Sequence, residues 1–217
     1  MFEENREIVN SIENLGEAER EILYSAVNIH GHACGGMPMG FVAGMAALKA
    51  LGIERERNMD TLAIVEVGNG HAAGCFVDGV QFATGCTFGK GVLKKEPKGK
   101  WNFRLIDRRT ARAVKVTLRP EVLAKAFAAP FITEYRIKGV NPTDIPAELG
   151  RAGFTRPFGL PADDVVKIEG PFDIDLPRPT PCFTTVLCAT CGDTVAENYA
   201  RLEDGQAVCP DCCHYAK

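Results

Sequence analysis

The chain lacks the features that mark secreted and membrane-spanning proteins. Its first ten residues are charged and mainly acidic, with neither the basic nor the apolar segment of a secretory signal. The longest apolar stretch, residues 41–51, is interrupted by Lys49 and is too short to cross a bilayer. We therefore expect a cytoplasmic protein with no membrane partner.

Two further absences exclude whole classes of site. The sequence has no run of four closely spaced cysteines of the ferredoxin type. Residues 84–91 approach the phosphate-loop pattern, but Thr84 stands at its first glycine and Gly91 at its Ser/Thr position. These features argue against a ferredoxin-type cluster and against binding of a nucleoside triphosphate. The net charge of −3 gives no overall field that would select nucleic acid.

The chain is rich in cysteine, with nine cysteines among its 217 residues. In a reducing compartment such cysteines more often bind metals, react or lie buried than form disulfides. The length suits one domain of moderate size with an appendage.

The pattern of apolar residues predicts an α+β fold, with helices packed on an antiparallel or mixed sheet and a small C-terminal zinc finger. Helices are expected over residues 17–29, 38–51, 75–83 and 120–128. A buried strand is expected over 61–67, and a hairpin that turns at 107–110. Gly40 and Gly44 indicate close packing of the second helix against a neighbour.

Proline density sets the expected domain boundaries. Prolines at 171, 177, 179 and 181 are typical of a semi-rigid extended linker. We expect a body over residues 1–176, a proline-rich linker over 177–187 and a four-cysteine finger over 188–217.

Two C-x2-C pairs near the C-terminus indicate a metal site. The expected ligands are Cys188, Cys191, Cys209 and Cys212. Four thiolates at this spacing are typical of a closed, structural zinc site, which would stabilise a segment too short for a core of its own. Cys213 and His214 adjoin the fourth ligand, so they stay open as alternatives, although the spacing favours Cys212. From Cys188 onward the finger has five acidic residues against two basic ones, which is poorly suited to phosphate contacts.

Three segments of the body carry further polar residues. The first places His30, His32 and Cys34 within five residues, among glycines, and imidazole with thiolate suits zinc, iron or nickel. A helix that begins just after Cys34 would favour its thiolate. One capping histidine and one buried cysteine is the alternative interpretation.

The second and third segments follow the buried strand. The second has Cys75, Asp78 and Gln81 on one helical face, with Cys75 at the helix N-terminus. The third is a glycine loop that bears Cys86, Thr87 and Lys90 and could hold an anionic group. We take His32, Cys34, Cys75, Asp78, Cys86, Thr87 and Lys90 as candidate catalytic residues, and His30 and Gln81 as candidate cofactor-binding residues.

Together these segments resemble the FmdE family, which takes its name from formylmethanofuran dehydrogenase. The resemblance lies in His30-Gly-His32-Ala-Cys34-Gly, in Cys75-x2-Asp78-x2-Gln81 and in Gly85-Cys86-Thr87-Phe-Gly-Lys90-Gly. It covers residues 17–120, and the finger is similar to the treble-clef zinc finger that some members carry. Gly35 departs from the pattern, because members often have proline there.

The resemblance implies an α+β core with a His/Cys-lined cleft, a homodimer, and a link to molybdenum or tungsten enzymes of one-carbon metabolism. Our first hypothesis is a metal-dependent enzyme or accessory subunit, with a second metal held in the cleft by some of the first-segment residues and Cys75. Alternatively, Cys75 or Cys86 is a nucleophile and Lys90 stabilises negative charge.

Two other functions stay open. The protein could carry a metal, sulfur or metal cofactor to a partner redox enzyme, because thiols near a cleft suit ligand exchange. It could also be a regulator that binds nucleic acid through the finger and the basic hairpin, where residues 94–115 hold nine basic residues and two acidic ones. The acidic finger counts against the regulator.

Overall fold

A computed structural model describes residues 2–70, 73–174 and 176–215. The chain divides into two compact units, Met1–Leu176 and Pro177–Lys217, which we call the body and the finger unit. All nine cysteines are free thiols. Within the described residues, no helix is both long and apolar enough to traverse a bilayer.

The body begins with helices, and glycine ends three of them. The helices before the second strand are α1 (Phe2–Asn10), α2 (Glu17–His30), α3 (Gly36–Leu51) and α4 (Gly74–Thr84). Gly31, Gly52 and Gly85 follow α2, α3 and α4 in the left-handed conformation, which glycine adopts without the steric penalty of a Cβ. The helices predicted at 17–29, 38–51 and 75–83 are confirmed.

A five-stranded mixed sheet supports these helices. Its strands are β1 (Thr61–Val65), β2 (Leu93–Lys95), β3 (Asn102–Asp107), β4 (Arg112–Leu118) and β5 (Val166–Asp173), in the spatial order β2-β1-β3-β4-β5. The β1–β2 pair is parallel and the other pairs are antiparallel. The predicted hairpin is the β3–β4 pair, and β1 is buried along its whole length as expected. The α+β fold with a mixed sheet is therefore confirmed.

Pro171, which the sequence pattern groups with the prolines of the linker, belongs to the sheet instead. Pro171 lies within β5, eight residues long, and β5 is the outer strand of the sheet. Proline lacks a backbone N–H, and a strand with one free edge can accommodate it.

Helices α3 and α4 pack side by side in the same direction, and glycine makes this possible. A Cβ built on Gly40 would lie 2.0 Å from the carbonyl oxygen of Phe76, and one on Gly44 would lie 2.6 Å from Cβ of Ala83. A Cβ on Gly36 would lie 2.9 Å from Cβ of Cys75. Residues ascend together along both helices, so their N-termini meet at one end of the pair.

The segment after β4 consists of short elements. It contains α5 (Pro120–Phe127), a π-helical turn (Phe131–Tyr135), α6 (Ala147–Thr155), a 3-10 turn (Arg156–Gly159) and α7 (Ala162–Val165). Helix α5 confirms the helix predicted from Pro120. These elements line one side of a cavity, and the N-terminal ends of α3 and α4 line the other.

The finger unit contains two small hairpins, β6 (Thr185–Leu187) with β7 (Thr194–Ala196), and β8 (Arg201–Glu203) with β9 (Gln206–Val208). Its described core consists of Cys188, Val208, Cys209 and Cys213, with Val195 and Cys212 packed against them. An apolar core of this size cannot hold a fold by itself. Strand β6 occupies residues 185–187, which the sequence pattern assigns to the linker.

Candidate metal centre

Four side chains from two distant segments meet at the N-terminal ends of α3 and α4. They are His30, His32, Cys34 and Cys75, which we call the body cluster. One nitrogen or sulfur atom of each lies within 4.8 Å of those of the other three. Tetrahedral metal–sulfur and metal–nitrogen bonds place donor atoms about 3.3 to 3.8 Å apart, so this group needs little adjustment to surround one ion.

The ends of three helices position the body cluster. His30 is the last residue of α2, and Gly31 turns the chain so that His32 and Cys34 follow before α3 begins. Cys75 is the second residue of α4. The absence of a Cβ at Gly36 allows Cys75 to approach the start of α3.

Asp78 fixes the orientation of His30. Its Oδ2 lies 2.8 Å from Nδ1 of His30, and the other ring nitrogen, Nε2, lies 3.6 Å from Sγ of Cys34. The ring centroids of His30 and His32 are 4.3 Å apart. A carboxylate on the outer nitrogen of a histidine is a frequent support for a metal ligand, because it sets the tautomer and makes the inner nitrogen more basic.

Burial alone would lower the pKa of His30, but the hydrogen bond to Asp78 and the neighbouring Cys75 raise that pKa to about 9. The surroundings of His30 thus favour a positive charge at Nε2, the ring nitrogen that points toward Cys34. A metal cation there would replace the proton.

The two thiols share negative charge unequally. Their mutual hydrogen bond lowers the pKa of Cys34, and hydrogen bonds from the backbone N–H groups of Met37 and Gly36 lower it further. The same hydrogen bond, with burial, raises the pKa of Cys75 to about 11. Cys34 therefore carries the thiolate first, as expected for a cysteine at a helix N-terminus. Because α3 and α4 are parallel, the positive ends of both helices face this pair.

The candidate residues do not all lie at the body cluster. Gln81, Cys86, Thr87 and Lys90 lie toward or beyond the C-terminal end of α4, and the helical rise separates that end from Cys75 by about 13 Å. Oε1 of Gln81 accepts a hydrogen bond from the backbone N–H of Phe88, at 3.1 Å. Nζ of Lys90 donates to the carbonyl oxygen of Glu56, at 3.3 Å, and Oγ1 of Thr87 accepts from the N–H of Lys90. These contacts hold the glycine loop in place.

Cys86 lies in the protein interior and its side chain is fully buried. Its Sγ donates to the carbonyl oxygen of Thr61, at 3.4 Å, and desolvation raises its pKa to about 11. Reactive cysteines are partly exposed and have a lowered pKa, so this environment does not support a nucleophilic role.

A cavity of about 500 Å³ opens onto the body cluster. His32, Cys34 and Cys75 lie in its lining, whereas His30 does not. Gln81, Cys86, Thr87 and Lys90 are also absent from the lining. The opposite wall comes from residues 121–164, and no recognisable motif in the sequence marks it.

The finger unit brings together the four cysteines that the sequence spacing singles out. One sulfur atom each of Cys188, Cys191, Cys209 and Cys212 lies within 4.8 Å of the others, and we call this group the finger cluster. Cys213 is buried in the finger core, and Nδ1 of His214 lies 3.0 Å from Glu203. Neither residue belongs to the finger cluster.

The thiols of the finger cluster differ in acidity. Backbone N–H groups of Cys191 and Cys209 lower the pKa of Cys188 to about 6. Hydrogen bonds with Cys209 and Cys191 raise the pKa of Cys212 to about 12. Four thiols so close together retain protons unless a cation compensates their charge, so the finger cluster could hold a metal ion.

Fold and sites together define an α+β protein with two groups of metal-competent side chains, one in the body and one in a cysteine-rich finger. The sequence model described as "FmdE, Molybdenum formylmethanofuran dehydrogenase operon" matches residues 29–151. The chain belongs to the FmdE family, whose description names the formylmethanofuran dehydrogenase operon.

Similar proteins include one of known structure and one from an archaeon. A crystal structure of a tungsten formylmethanofuran dehydrogenase FmdE-like protein from Syntrophus aciditrophicus has a TM-score of 0.55 and 21% identity, over 93% of this chain and 94% of that one. At this identity the likeness concerns the fold. A probable S-adenosyl-L-methionine-binding protein from Archaeoglobus fulgidus is 34% identical over 111 residues, which are 49% of this chain and 29% of that protein. The match thus spans less than a third of that relative.

Proposed function

We propose that this chain is a metal-binding accessory subunit or enzyme of formylmethanofuran dehydrogenase-type one-carbon redox metabolism. The body cluster would hold a divalent transition metal, and the finger cluster a structural zinc ion. The observation that carries the proposal is the convergence of two imidazoles and two thiols beside a cavity that three of the four residues line. Membership of the FmdE family supports the metabolic context.

The donor set and its surroundings fit a metal ion. Mixed imidazole and thiolate ligands suit zinc, iron or nickel. His30 has the supporting carboxylate of Asp78, and Cys34 has backbone N–H groups that favour its thiolate. When bound, such an ion supplies Lewis acidity that polarises a carbonyl group or a water molecule.

The residues of this chain have separate roles in the proposal. Asp78 and His30 form the fixed side of the body cluster, away from the cavity. His32, Cys34 and Cys75 face the cavity, so one of them could give up its position to an incoming ligand. A site with three protein ligands and one exchangeable position is typical of catalytic zinc, whereas four fixed thiolates in the finger are typical of structural zinc.

Metal content of the full-length chain and of single-cysteine variants tests the proposal. We expect two equivalents of metal per chain by elemental analysis, one of which is lost in Cys75→Ser and the other in Cys191→Ser. Cys182→Ser is the matched control, because Sγ of Cys182 contacts the carbonyl oxygen of Thr184 and lies outside both clusters. If Cys34→Ser and Cys75→Ser both retain as much metal as the unmodified chain, the body cluster is not a metal site.

A carrier function for a metal or metal cofactor is the second candidate. The observation in its favour is that Cys75 is partly exposed and lines the open cavity, where a ligand can exchange. A carrier should have no activity by itself and should raise the metal loading of an apo partner enzyme. Unchanged loading of that enzyme after incubation with the metal-bound chain would reject this function.

The proposed partner is a redox enzyme, and the proposed assembly is a homodimer. Our proposal does not include S-adenosyl-L-methionine binding, for which the Archaeoglobus relative is named, because the alignment leaves most of that relative unmatched. The acidic finger also argues against nucleic acid as a partner.

A further inference from the structure

The cavity above the body cluster has the size of a small-molecule site. Its volume of about 500 Å³ lies within the range of ligand pockets, and those pockets combine apolar walls with a few convergent polar groups. Here the convergent polar groups are His32, Cys34 and Cys75, at the end where α3 and α4 begin.

The wall formed by α5 is apolar and incompletely covered. Helix α5 has no fully buried residue, although Val122, Leu123 and Ala126 pack against the main core. Phe127 at its end is 41% exposed, and Leu160, from the same wall of the cavity, is 40% exposed. Both side chains line the cavity, so a bound apolar group would remove them from water.

The next wall contains an irregular helix. Residues Phe131–Tyr135 form a π-helical turn, and Phe131 and Ile132 from this turn line the cavity. Isolated π-helical turns are rare and occur frequently at functional sites. The π-helical turn therefore indicates a functional site at the cavity, independently of the body cluster.

The charges around the cavity favour an anion. Its lining includes the basic residues Lys125, Arg136 and Arg156 and the acidic residues Glu121 and Asp164. One guanidinium nitrogen of Arg136 donates to the carbonyl oxygen of Val140, and within the residues that the structure describes its other N–H groups make no hydrogen bond. At the body cluster the positive N-terminal ends of α3 and α4 face the Cys34 thiolate, so an anion is favoured there when a metal ion offsets that negative charge.

We propose that the cavity binds a chiefly apolar organic acid, with its carboxylate toward the body cluster and its apolar part against α5 and the π-helical turn. The inference deepens the proposed function and rests on it for the role of the body cluster. Binding to the apolar walls can nevertheless be measured whether or not the body cluster holds a metal.

Decanoate is a suitable probe, with decan-1-ol and decylamine as controls of equal chain length. In calorimetric titrations of the full-length chain, we expect decanoate to bind with one-to-one stoichiometry. Decan-1-ol should bind less tightly, and decylamine at least about tenfold less tightly than decanoate, because like charges oppose it. All probes stay below their micelle concentrations.

Two glycine substitutions make a matched pair of variants. Among the described residues, a Cβ on Gly74 meets nothing within 4 Å, and Gly74 lines the cavity, so Gly74→Phe should fill the end near the body cluster and weaken decanoate binding at least about tenfold. A Cβ on Gly89 likewise meets no described atom within 4 Å, but Gly89 lies outside the cavity lining, so Gly89→Phe should bind decanoate as the unmodified chain does. Circular dichroism checks that both variants are folded.

A third variant covers the case in which Gly74→Phe fails to fold. Phe127→Ala removes a half-exposed side chain from the cavity wall and should weaken decanoate binding about fivefold, through lost apolar contact. Equal binding of all three probes, or binding unaffected by Gly74→Phe and Phe127→Ala, would show non-specific adsorption and overturn the proposal. Absence of decanoate binding, or self-association of the chain that excludes decanoate, would also overturn it.

Metal content measured on the same samples separates the two proposals. Decanoate binding without metal in the body cluster supports the cavity and rejects the metal centre. Metal in the body cluster without decanoate binding does the reverse. With cobalt(II) in the body cluster, decanoate should shift the visible absorption bands if its carboxylate reaches the inner end of the cavity.

Discussion

At the scale of single residues, Asp78 acts on the body cluster through His30. The contact between Oδ2 of Asp78 and Nδ1 of His30 is 2.8 Å long, and the His30 side chain is only 6% exposed. Removing the carboxylate charge leaves the histidine with a weaker support for its ring orientation. Because such outer contacts typically contribute 10- to 100-fold to metal affinity, Asp78→Asn should weaken binding at the body cluster by about that factor.

Competition with a chromophoric chelator measures this change in affinity. Asp163→Asn is the control, because Asp163 is exposed and only its backbone carbonyl has a described hydrogen bond, from Arg119. The finger cluster should keep its metal in both variants. An unchanged body affinity in Asp78→Asn would mean that His30 does not bind the ion.

Glu56 gives a pH-dependent contribution to stability. Burial alone would raise the pKa of its carboxyl group, but hydrogen bonds from Thr61 and Asn58 and the charge of Lys90 bring the pKa below its usual value of 4.5. A carboxyl group with a lower pKa in the folded state stabilises the fold above the unfolded-state pKa. This stabilisation is lost as the pH falls through the folded-state value.

The variant Glu56→Gln should therefore lower the free energy of unfolding by about 1–3 kcal/mol at pH 7, and by less below pH 4 or so. Urea unfolding at both pH values measures the difference. Glu54→Gln is the matched control, because Glu54 is exposed and two positions away. A constant difference between Glu56→Gln and the unmodified chain at both pH values would contradict the assignment.

At the scale of elements, the pairing of α3 with α4 places the thiols together. A Cβ on Gly79 would lie 2.0 Å from the carbonyl oxygen of Met37, so the two helices must separate to admit it. Overpacking of this kind costs about 1–3 kcal/mol, and the helix propensity gained from alanine offsets at most about 1 kcal/mol. Gly79→Ala should thus destabilise the body and weaken its metal binding, because Met37 also donates to Cys34.

Gly74→Ala tests the same substitution in the same helix without the clash. A Cβ on Gly74 meets no atom of the described residues within 4 Å, so this variant should be as stable as the unmodified chain or slightly more stable. Thermal unfolding and metal titration of both variants measure the contrast. Equal stability of Gly79→Ala and Gly74→Ala would show that the helices can separate freely.

Local sequence patterns predicted the elements well, and long-range proximity less well. The glycine stops at Gly52 and Gly85 and the alternation around β3 and β4 are local signals, so the helices and the hairpin followed from them. The two edge strands could not be predicted from local signals. Strand β2 has only three residues, two of them exposed lysines, and β5 contains Gly170 and Pro171. Their pairing depends on neighbours that no local pattern reveals.

The same limit applies to the candidate site, where proximity within one segment could be predicted and proximity between segments could not. His30, His32 and Cys34 lie within five residues, so their proximity is set by the chain itself. Lys90 lies beyond the far end of α4 from Cys75, and only the direction of that helix decides that it is remote. Sequence spacing gives a distance along the chain but not the direction in which the chain leaves a site.

At the scale of the whole molecule, the two units depend on metal to different degrees. The body has its own apolar core, formed by the sheet, α3 and α4, and should remain folded without an ion. The finger has four buried residues in its described core, three of them cysteines. In a finger of this kind the free energy of metal binding replaces that of an apolar core, so removal of the ion should unfold it.

Hydrogen exchange before and after treatment with a strong chelator tests this difference. We expect the amides of residues 185–208 to lose protection, while those of β3 and β4 keep theirs, and restored zinc should restore the finger alone. Cys191→Ser without chelator should give the same pattern, whereas Cys182→Ser should not. If the finger amides stay protected when elemental analysis finds no metal, packing around Val208 and Cys213 suffices to hold the finger, and a structural ion is not required.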